Sequence, residues 1–397
     1  MLKTPYVNSE NTWGWIMQPI FWIHPTISFH GLVLTLFIIQ ISMLWFFFYY
    51  LAHMRISGLY IFILSIVSIS VTSKQMPYLI FTQYPMLLPG LLFPIALLGF
   101  SIRYKWYQRR VLHAVFSCGI GAYLFFLYNL RTPYIIPAVI VLAVYYLLLR
   151  PMRASSLYSF LLVIVTSIFC YISIQKSVFP PEFEKNKSLY LSTHPIAHPL
   201  VLGLAIPANR FAKKLGIEWN DSIGERIALN ADPTVKLDSP KYDEVLLSYY
   251  KSLWVNYPKD MFRLYFEKFN SLGHDFAPDN RIIRLFMFPL NKLNGMMIMF
   301  IQFMILYLLL KNRNKLNACF LFGSLSFSLA GIALYIESGI IYSIYNACYH
   351  GFLTLWFVSL NLTFLSLLIY YLFHLIERKL LAGKHKRQDP LSSQLSS

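Results

Sequence analysis

Apolar residues along this chain gather into nine runs, over 26–51, 56–73, 83–102, 111–130, 132–149, 156–175, 293–310, 316–335 and 352–375. A bilayer hydrocarbon core of about 30 Å takes roughly 20 residues of α-helix, so each run predicts a span, with 56–73 and 132–149 the shortest. Proline falls inside two of them, Pro85, Pro89 and Pro94 in the third and Pro137 in the fifth. Membrane helices tolerate proline where neighbouring groups take up the freed carbonyls.

Between the sixth and seventh runs the pattern changes to a mixed, hydrophilic one. Ser239-Pro240 reads as an N-cap followed by proline at the first helical position, and Tyr242, Val245, Leu246, Tyr249, Leu253 and Trp254 then recur at helical spacing. Pro258 breaks that run, and a second stretch with Met261, Phe262, Tyr265, Phe266, Phe269 and Leu272 ends at Gly273. Two aromatic-rich amphipathic helices beside a membrane either lie in the interface plane or pack on the rest of the insert. The expected fold is an all-α polytopic membrane protein of about nine transmembrane helices plus one extracytoplasmic helical insert. Residues 1–177 form an N-terminal membrane part of about six spans, 178–292 the insert, 293–376 a C-terminal membrane part of about three spans, and 377–397 a polar tail.

Composition agrees with the pattern. Of 397 residues 57% are apolar and only 13% charged, against about 25% charged in a soluble domain. The net charge of +17 accompanies no nucleic-acid motif, and its distribution reads as membrane topology instead. Lys and Arg in one set of loops number 15, from Arg55 to Arg387, whereas the opposite set holds only Lys3, Lys74 and Arg131. The positive-inside rule then sets the C-terminus in the cytoplasm, and the N-terminus and the insert outside. The expected location is the bacterial inner (plasma) membrane, multi-pass, and "MLKTPYVNSENTWGW" lacks the apolar core of a cleavable signal. The insert holds 13 of the 17 acidic residues, so carboxylate chemistry is expected on the external face. Cys118, Cys170, Cys319 and Cys348 are far apart in sequence and build neither a disulfide framework nor a metal cluster.

Titratable groups concentrate in "HPIAHPLVLGLAIPANRFAKKLGIEWNDSIGE", His194 to Glu225. His194 and His198 have the spacing of a metal-binding helix, but Pro199 would sit in its interior and no Glu follows the first His, so a zinc site is not expected. The alternatives are a loop presenting imidazoles at the membrane surface, for a phosphate or a proton, or histidines satisfied within a proline-rich turn. Ser222-Ile-Gly-Glu225 matches a capping box, which gives Glu225 a structural task and leaves Asp221, just before it, as the leading acid. Arg210, Lys213 and Lys214 precede it and Lys268, Arg281 and Arg284 follow. External arginines near a membrane can grip phosphate bidentately, or simply be solvated. No glycine-rich phosphate loop, G-x-S-x-G or cysteine–histidine pair occurs, so nucleotide hydrolysis and acyl-enzyme chemistry have no support. Glu337, in "YIESG" at the external end of the eighth run, is an acid at a costly depth unless partnered or wet.

"HPIAHPLVLGLAIPANRFAKKLGIEWNDSIGERIALNADP" and "YDEVLLSYYKSLWVNYPKDMFRLYFEKF" resemble segments of bacterial membrane proteins that look related to the GT-C class of membrane glycosyltransferases. The resemblance covers residues 190–270 at motif level and the rest as architecture. It implies transfer of a sugar from a polyprenyl-phosphate-linked donor to a glycan or lipid acceptor, with inversion at the anomeric carbon. A carboxylate, Glu10 or Asp221, would deprotonate the acceptor hydroxyl, and His194, His198, Arg210, Lys268 and Glu337 would be the substrate contacts. Membrane lipid is the further implied partner. No cofactor is implied, and a divalent metal finds no ligand spacing to hold it. The departure from the family lies at the start. The class places its catalytic acid early in an external loop behind a first span, whereas these nine runs start from outside. "YVNSENTWGWIMQPIFWIH" then reads as the remnant of that loop, with Glu10 its only acid: either Glu10 stands in for the usual aspartate, or the chain is truncated, or the enzyme is degenerate. A polysaccharide polymerase or ligase, relying on external arginine and histidine rather than on an acid, is the first alternative. A non-catalytic lipid-binding or assembly subunit is the second.

The orientation is checkable. With the native cysteines replaced by serine, a membrane-impermeant maleimide is expected to label Ser188→Cys in intact cells and Ser393→Cys only after permeabilisation. The reverse pattern would place the insert inside and remove the basis for external chemistry.

Overall fold

The computed structural model describes residues 24, 26, 28–54, 56–75, 84–130, 134–148, 153–178, 197–236, 239–275, 285–288, 290–340, 352–369, 371–373 and 376. Among these every regular element is a helix. In chain order they are α1 (Phe29–His53), α2 (Gly58–Gln75), α3 (Tyr84–Arg103), α4 (Arg110–Leu130), α5 (Ile135–Leu148) and α6 (Arg153–Val178). The insert contributes α7 (Ala197–Leu202), α8 (Arg210–Leu215), α9 (Asp221–Ala231), α10 (Pro240–Asn256) and α11 (Pro258–Asp275). After it come α12 (Gly295–Lys311), α13 (Ala318–Ile340) and the apolar helix α14 (Phe352–Phe373).

Each apolar run of the sequence coincides with a helix. Three of these helices, over His30–His53, Ala318–Ile340 and Phe352–Phe373, are long and apolar enough to cross a membrane. In the other six, the apolar helical stretches among the described residues run only 10–17 residues. The 14 residues of α5 and 17 of α12 rise about 21 and 26 Å at 1.5 Å per residue, so helix length alone does not carry all nine across. The bundle nonetheless carries large apolar side chains on its surface as well as in its core. Leu34, Trp45, Phe62, Phe169, Phe300 and Phe303 are all exposed, as helices able to cross a membrane would present them to lipid.

Polar side chains fix the packing inside the bundle. α3 lies against α1 and α13, α13 against α5, and α4 against α6. The Tyr50 ring of α1 fills the space left by two glycines: a Cβ on Gly99 would come within 2.2 Å of it and one on Gly323 within 2.7 Å of its hydroxyl. That hydroxyl donates to the Cys319 carbonyl at 2.7 Å, so one residue joins α1, α3 and α13. Small residues at helix contacts of this kind let backbones approach closely. Pro89 and Pro94 both lie inside α3. Pro94 has no N–H to give the carbonyl four residues earlier, that of Gly90, and Tyr123 of α4 donates to that carbonyl at 2.7 Å. The freed carbonyl is satisfied by a neighbouring helix, as proline in a membrane helix requires.

The insert has apolar cores of its own, one around Val201, Ala228, Tyr242 and Leu246 and another around Leu204, Ile217, Leu253 and Met261. Ser239 caps α10 by accepting from the Tyr242 N–H at 3.2 Å, with Pro240 at the first position, and the chain breaks at Tyr257 before Pro258 as the pattern predicts. Two expectations are corrected. Gly273 does not end α11, which runs on to Asp275; a glycine in a helix costs only about 1 kcal/mol relative to alanine. The cap of α9 is Asn220, whose side chain accepts from the Ser222 N–H at 3.2 Å, so Ser222 lies inside the helix and forms no capping box. Asp221 becomes the first helical residue.

The insert joins the bundle through α11. Its Phe269 carbonyl presses against the Cα of Gly295, where a Cβ would lie 1.7 Å from the oxygen, and accepts from the Tyr335 hydroxyl of α13 at 3.4 Å.

Tyr123→Phe leaves the Gly90 carbonyl without that donor. A loss of about 1 kcal/mol in stability is expected, read as a lower thermal midpoint in detergent; Tyr104→Phe, on an exposed hydroxyl bonded to His53, is the control and should shift far less.

Candidate functional site

The first turn of α7 solves the problem that the proline spacing raised. Pro199 is the third residue of this six-residue helix, where a missing N–H costs nothing because the first four N–H groups have no intrahelical acceptor. The Ala197 N–H is taken up from outside, by the Asp243 carboxylate at 2.9 Å. His198 is thereby set into the body of the insert, and the expectation of a surface loop presenting this imidazole is corrected: the side chain is only 8% exposed.

Both its ring nitrogens are engaged. Nδ1 lies 2.7 Å from the Tyr242 hydroxyl of α10 and Nε2 lies 3.1 Å from Asp221 Oδ1 at the start of α9. A carboxylate only accepts, so in the neutral imidazole Nε2 carries the hydrogen and Tyr242 donates to Nδ1. Gly224 permits this closeness: a Cβ there would lie 2.6 Å from Nδ1 and 2.9 Å from the Tyr242 hydroxyl. Asp221 is the open end of the chain. Its side chain is 74% exposed, and it occupies the first turn of α9, a favourable place for an anion. Two residues singled out in the sequence, 23 positions apart, thus meet, with Tyr242 as a third member that periodicity assigned to the core. A buried tyrosine hydroxyl needs a partner, and that requirement is the only signal that could have found it.

The basic residues lie on α8, which one hydrogen bond ties to α9. Asn209 caps α8, accepting from the Ala212 N–H at 2.8 Å while donating to the Leu204 and Pro207 carbonyls at 2.7 and 2.8 Å. Arg210, Lys213 and Lys214 all stay exposed on that short helix, Lys214 near the Tyr257 ring. Gly216 ends it at φ 65°, a left-handed conformation suited to glycine. The Arg226 guanidinium of α9 donates to the Gly216 carbonyl at 2.9 Å. That bond ties the end of the basic helix to the helix that carries Asp221.

Two further candidates are buried. Lys268 of α11 points inward, donates to the Gly203 carbonyl at 2.8 Å and lies 5.2 Å from the centre of the Tyr265 ring. Among the described residues no carboxylate pairs with it, and burial pulls its ammonium down from the ordinary 10.5 to about 8. Its amine is spent on the turn that follows α7, inside the insert. Glu337 lies in the last described turn of α13, which runs to Ile340, and is buried. Glu10, His194, Arg281 and Arg284 fall outside the described residues. Among the described residues no three His, Cys, Asp or Glu side chains gather to hold a metal ion.

Fold and site together define an all-helical chain with helices able to cross a membrane and a polar insert bearing a carboxylate–imidazole–phenol chain. No family model matches it, and neither a curated protein nor a solved structure does. Function is therefore read from the residues and their geometry.

The buried Lys268 makes stability depend on pH. The folded state holds this proton less tightly than the unfolded one, so stability rises as pH climbs through about 8 towards 10.5. A thermal midpoint measured in detergent should increase across that window, and Lys268→Met should flatten the rise. An identical rise in the variant would mean that other groups cause it.

Proposed function

We propose that this chain is a multi-pass transferase of the bacterial inner membrane whose insert works on the outer face. It would move a sugar from a polyprenyl-phosphate-linked donor to a glycan or lipid acceptor. The observation that carries the reading is the solvent-open Asp221 carboxylate held by the buried His198, itself held by Tyr242. With Oδ1 occupied by the imidazole N–H, Oδ2 is left to take the proton of an acceptor hydroxyl. As that proton leaves, the acceptor oxygen bonds to the anomeric carbon, and the bond from this carbon to the donor phosphate oxygen breaks. Its electron pair departs on the lipid phosphate.

The growing charge on that phosphate needs cations. Arg210, Lys213 and Lys214 supply them from α8, which the Arg226–Gly216 bond holds beside α9, and a guanidinium can engage two phosphate oxygens at once. Glu10 and His194 remain candidates for the same chemistry, and a polymerase or ligase would use the same basic helix without the acid.

Asp221→Asn preserves size and can still accept from His198, so it tests the base alone. In cells carrying the variant as their only copy, incorporation of labelled sugar into envelope glycan is expected to fall by on the order of 10²-fold or more, the usual contribution of a general base, with an unchanged thermal midpoint. Arg210→Ala should lower it less. Wild-type incorporation by Asp221→Asn would sink the assignment, and loss on Arg210→Ala alone would favour the ligase.

A further inference from the structure

α11 presents different surfaces to three surroundings. Met261 and Leu264 point into the insert core and Lys268 into the junction with α7. Phe262 and Phe266, one helical turn apart, point away from the protein and are 69% and 56% exposed. They are not stray residues on a polar surface. Phe262 sits edge-on to Trp254 at 5.3 Å between ring centres, and Val255 beside that ring is exposed too. On the same flank Lys259 and the Arg263–Glu267 pair are open to solvent.

The level of this apolar edge is set by the contact with the bundle. The Phe269 carbonyl rests on Gly295, the first residue of α12, so the C-terminal part of α11 lies at the end of a helix whose sides are made for lipid. Phe266 precedes Phe269 by three residues, about 5 Å along the axis, and Phe262 lies about 6 Å further on. Met296, Met297 and Phe300 are exposed on the first turns of α12. Exposed apolar side chains thus stand on both of the helices that meet at this contact. A helix with phenylalanines on one edge and charged side chains (Lys259, Asp260 and the Arg263–Glu267 pair) beside them is what a membrane interface accepts, whereas α10 buries Tyr242, Leu246 and Leu253 inside the insert.

We infer that α11 seats its Phe262–Phe266 edge in the outer leaflet, among the headgroups and upper acyl chains, and so fixes the height of the insert above the bilayer. The inference rests on reading α12 as a membrane span. The occupant of the edge is lipid, because α11 is anchored at the start of α12, whose first turns expose Met296, Met297 and Phe300.

Nitroxide labels test it in the full-length protein, with other cysteines replaced by serine, reconstituted in phosphatidylethanolamine–phosphatidylglycerol vesicles. Labels at Phe262→Cys and Phe266→Cys are compared with Phe300→Cys as lipid reference and Lys251→Cys as water reference. The ratio of oxygen to nickel-complex accessibility is expected to be several-fold higher at 262 and 266 than at 251, approaching that at 300. Ratios at 262 and 266 equal to that at 251 would overturn the seating. So would labels shielded from both reagents, which would mean that protein covers the edge. A watery ratio at 300 itself would instead overturn the membrane reading of α12.

Discussion

A hydrogen-bond donor enclosed by apolar side chains or lipid tails has no water to turn to, and in this chain that constraint places the joints between helices. Tyr50 reaches the Cys319 carbonyl, Tyr123 the Gly90 carbonyl and Lys268 the Gly203 carbonyl, while Asn361 of α14 donates to those of Phe286 and Phe288 at 2.8 and 2.6 Å. Each donor carries one element to the backbone of another. The acceptors are often places where regular helix is interrupted: Gly90 is freed by Pro94, Gly203 follows the end of α7, and Phe286 and Phe288 lie ahead of α12. Hydrophobic burial is largely non-directional and lipid offers helices little drive to associate. These few bonds therefore select which arrangement of oily helices is kept.

The same reasoning explains what could be read in the sequence. Helix positions were legible because apolar runs, Ser239-Pro240 and Pro258 act locally, through propensity and capping. Misreadings arose where a distant group supplied what the local rule lacked. Pro199 argues against a helix only if its neighbours' N–H groups depend on that helix, and Asp243, 46 positions from Ala197, relieves one of them. Ser222 and Glu225 have the spacing of a capping box, yet Asn220 reaches the helix start first. Tyr242 counts as an apolar residue in any periodicity, and only its burial beside an imidazole shows the hydroxyl at work. Asp221 and His198 were each identifiable by residue type, but their pairing depends on Gly224 letting α9 and α7 touch.

Lys268 shows how one side chain can serve position rather than chemistry. By residue type it belongs with the phosphate binders, and by place it does not, since its ammonium is spent on a carbonyl inside the protein. Burying a cation with only a carbonyl and an aromatic ring for company is costly, and the lowered proton affinity records that cost. In return α11 is held to the end of α7, the helix whose other end carries His198.

That linkage bears on why an exposed carboxylate would be built on so small a scaffold. A base acting on a lipid-borne donor must stand at a fixed height, because the phosphate of the donor is confined to the headgroup layer. In this chain the height would be set by α11, resting on Gly295 below and on Lys268 and Gly203 at its side, with its phenylalanine edge in lipid. Asp221 and the cations of α8 then follow as one unit, tied by His198 on one side and by Arg226 on the other. Acid and bases are kept apart by this frame, and among the described residues no ion pair joins Asp221 to Arg210, Lys213 or Lys214. A carboxylate neutralised by those cations would be a poor base, and cations neutralised by it a poor phosphate site. Leaving Asp221 and the α8 cations open to solvent and unpaired with one another is the arrangement that the proposed transfer between a hydroxyl and a phosphate would use.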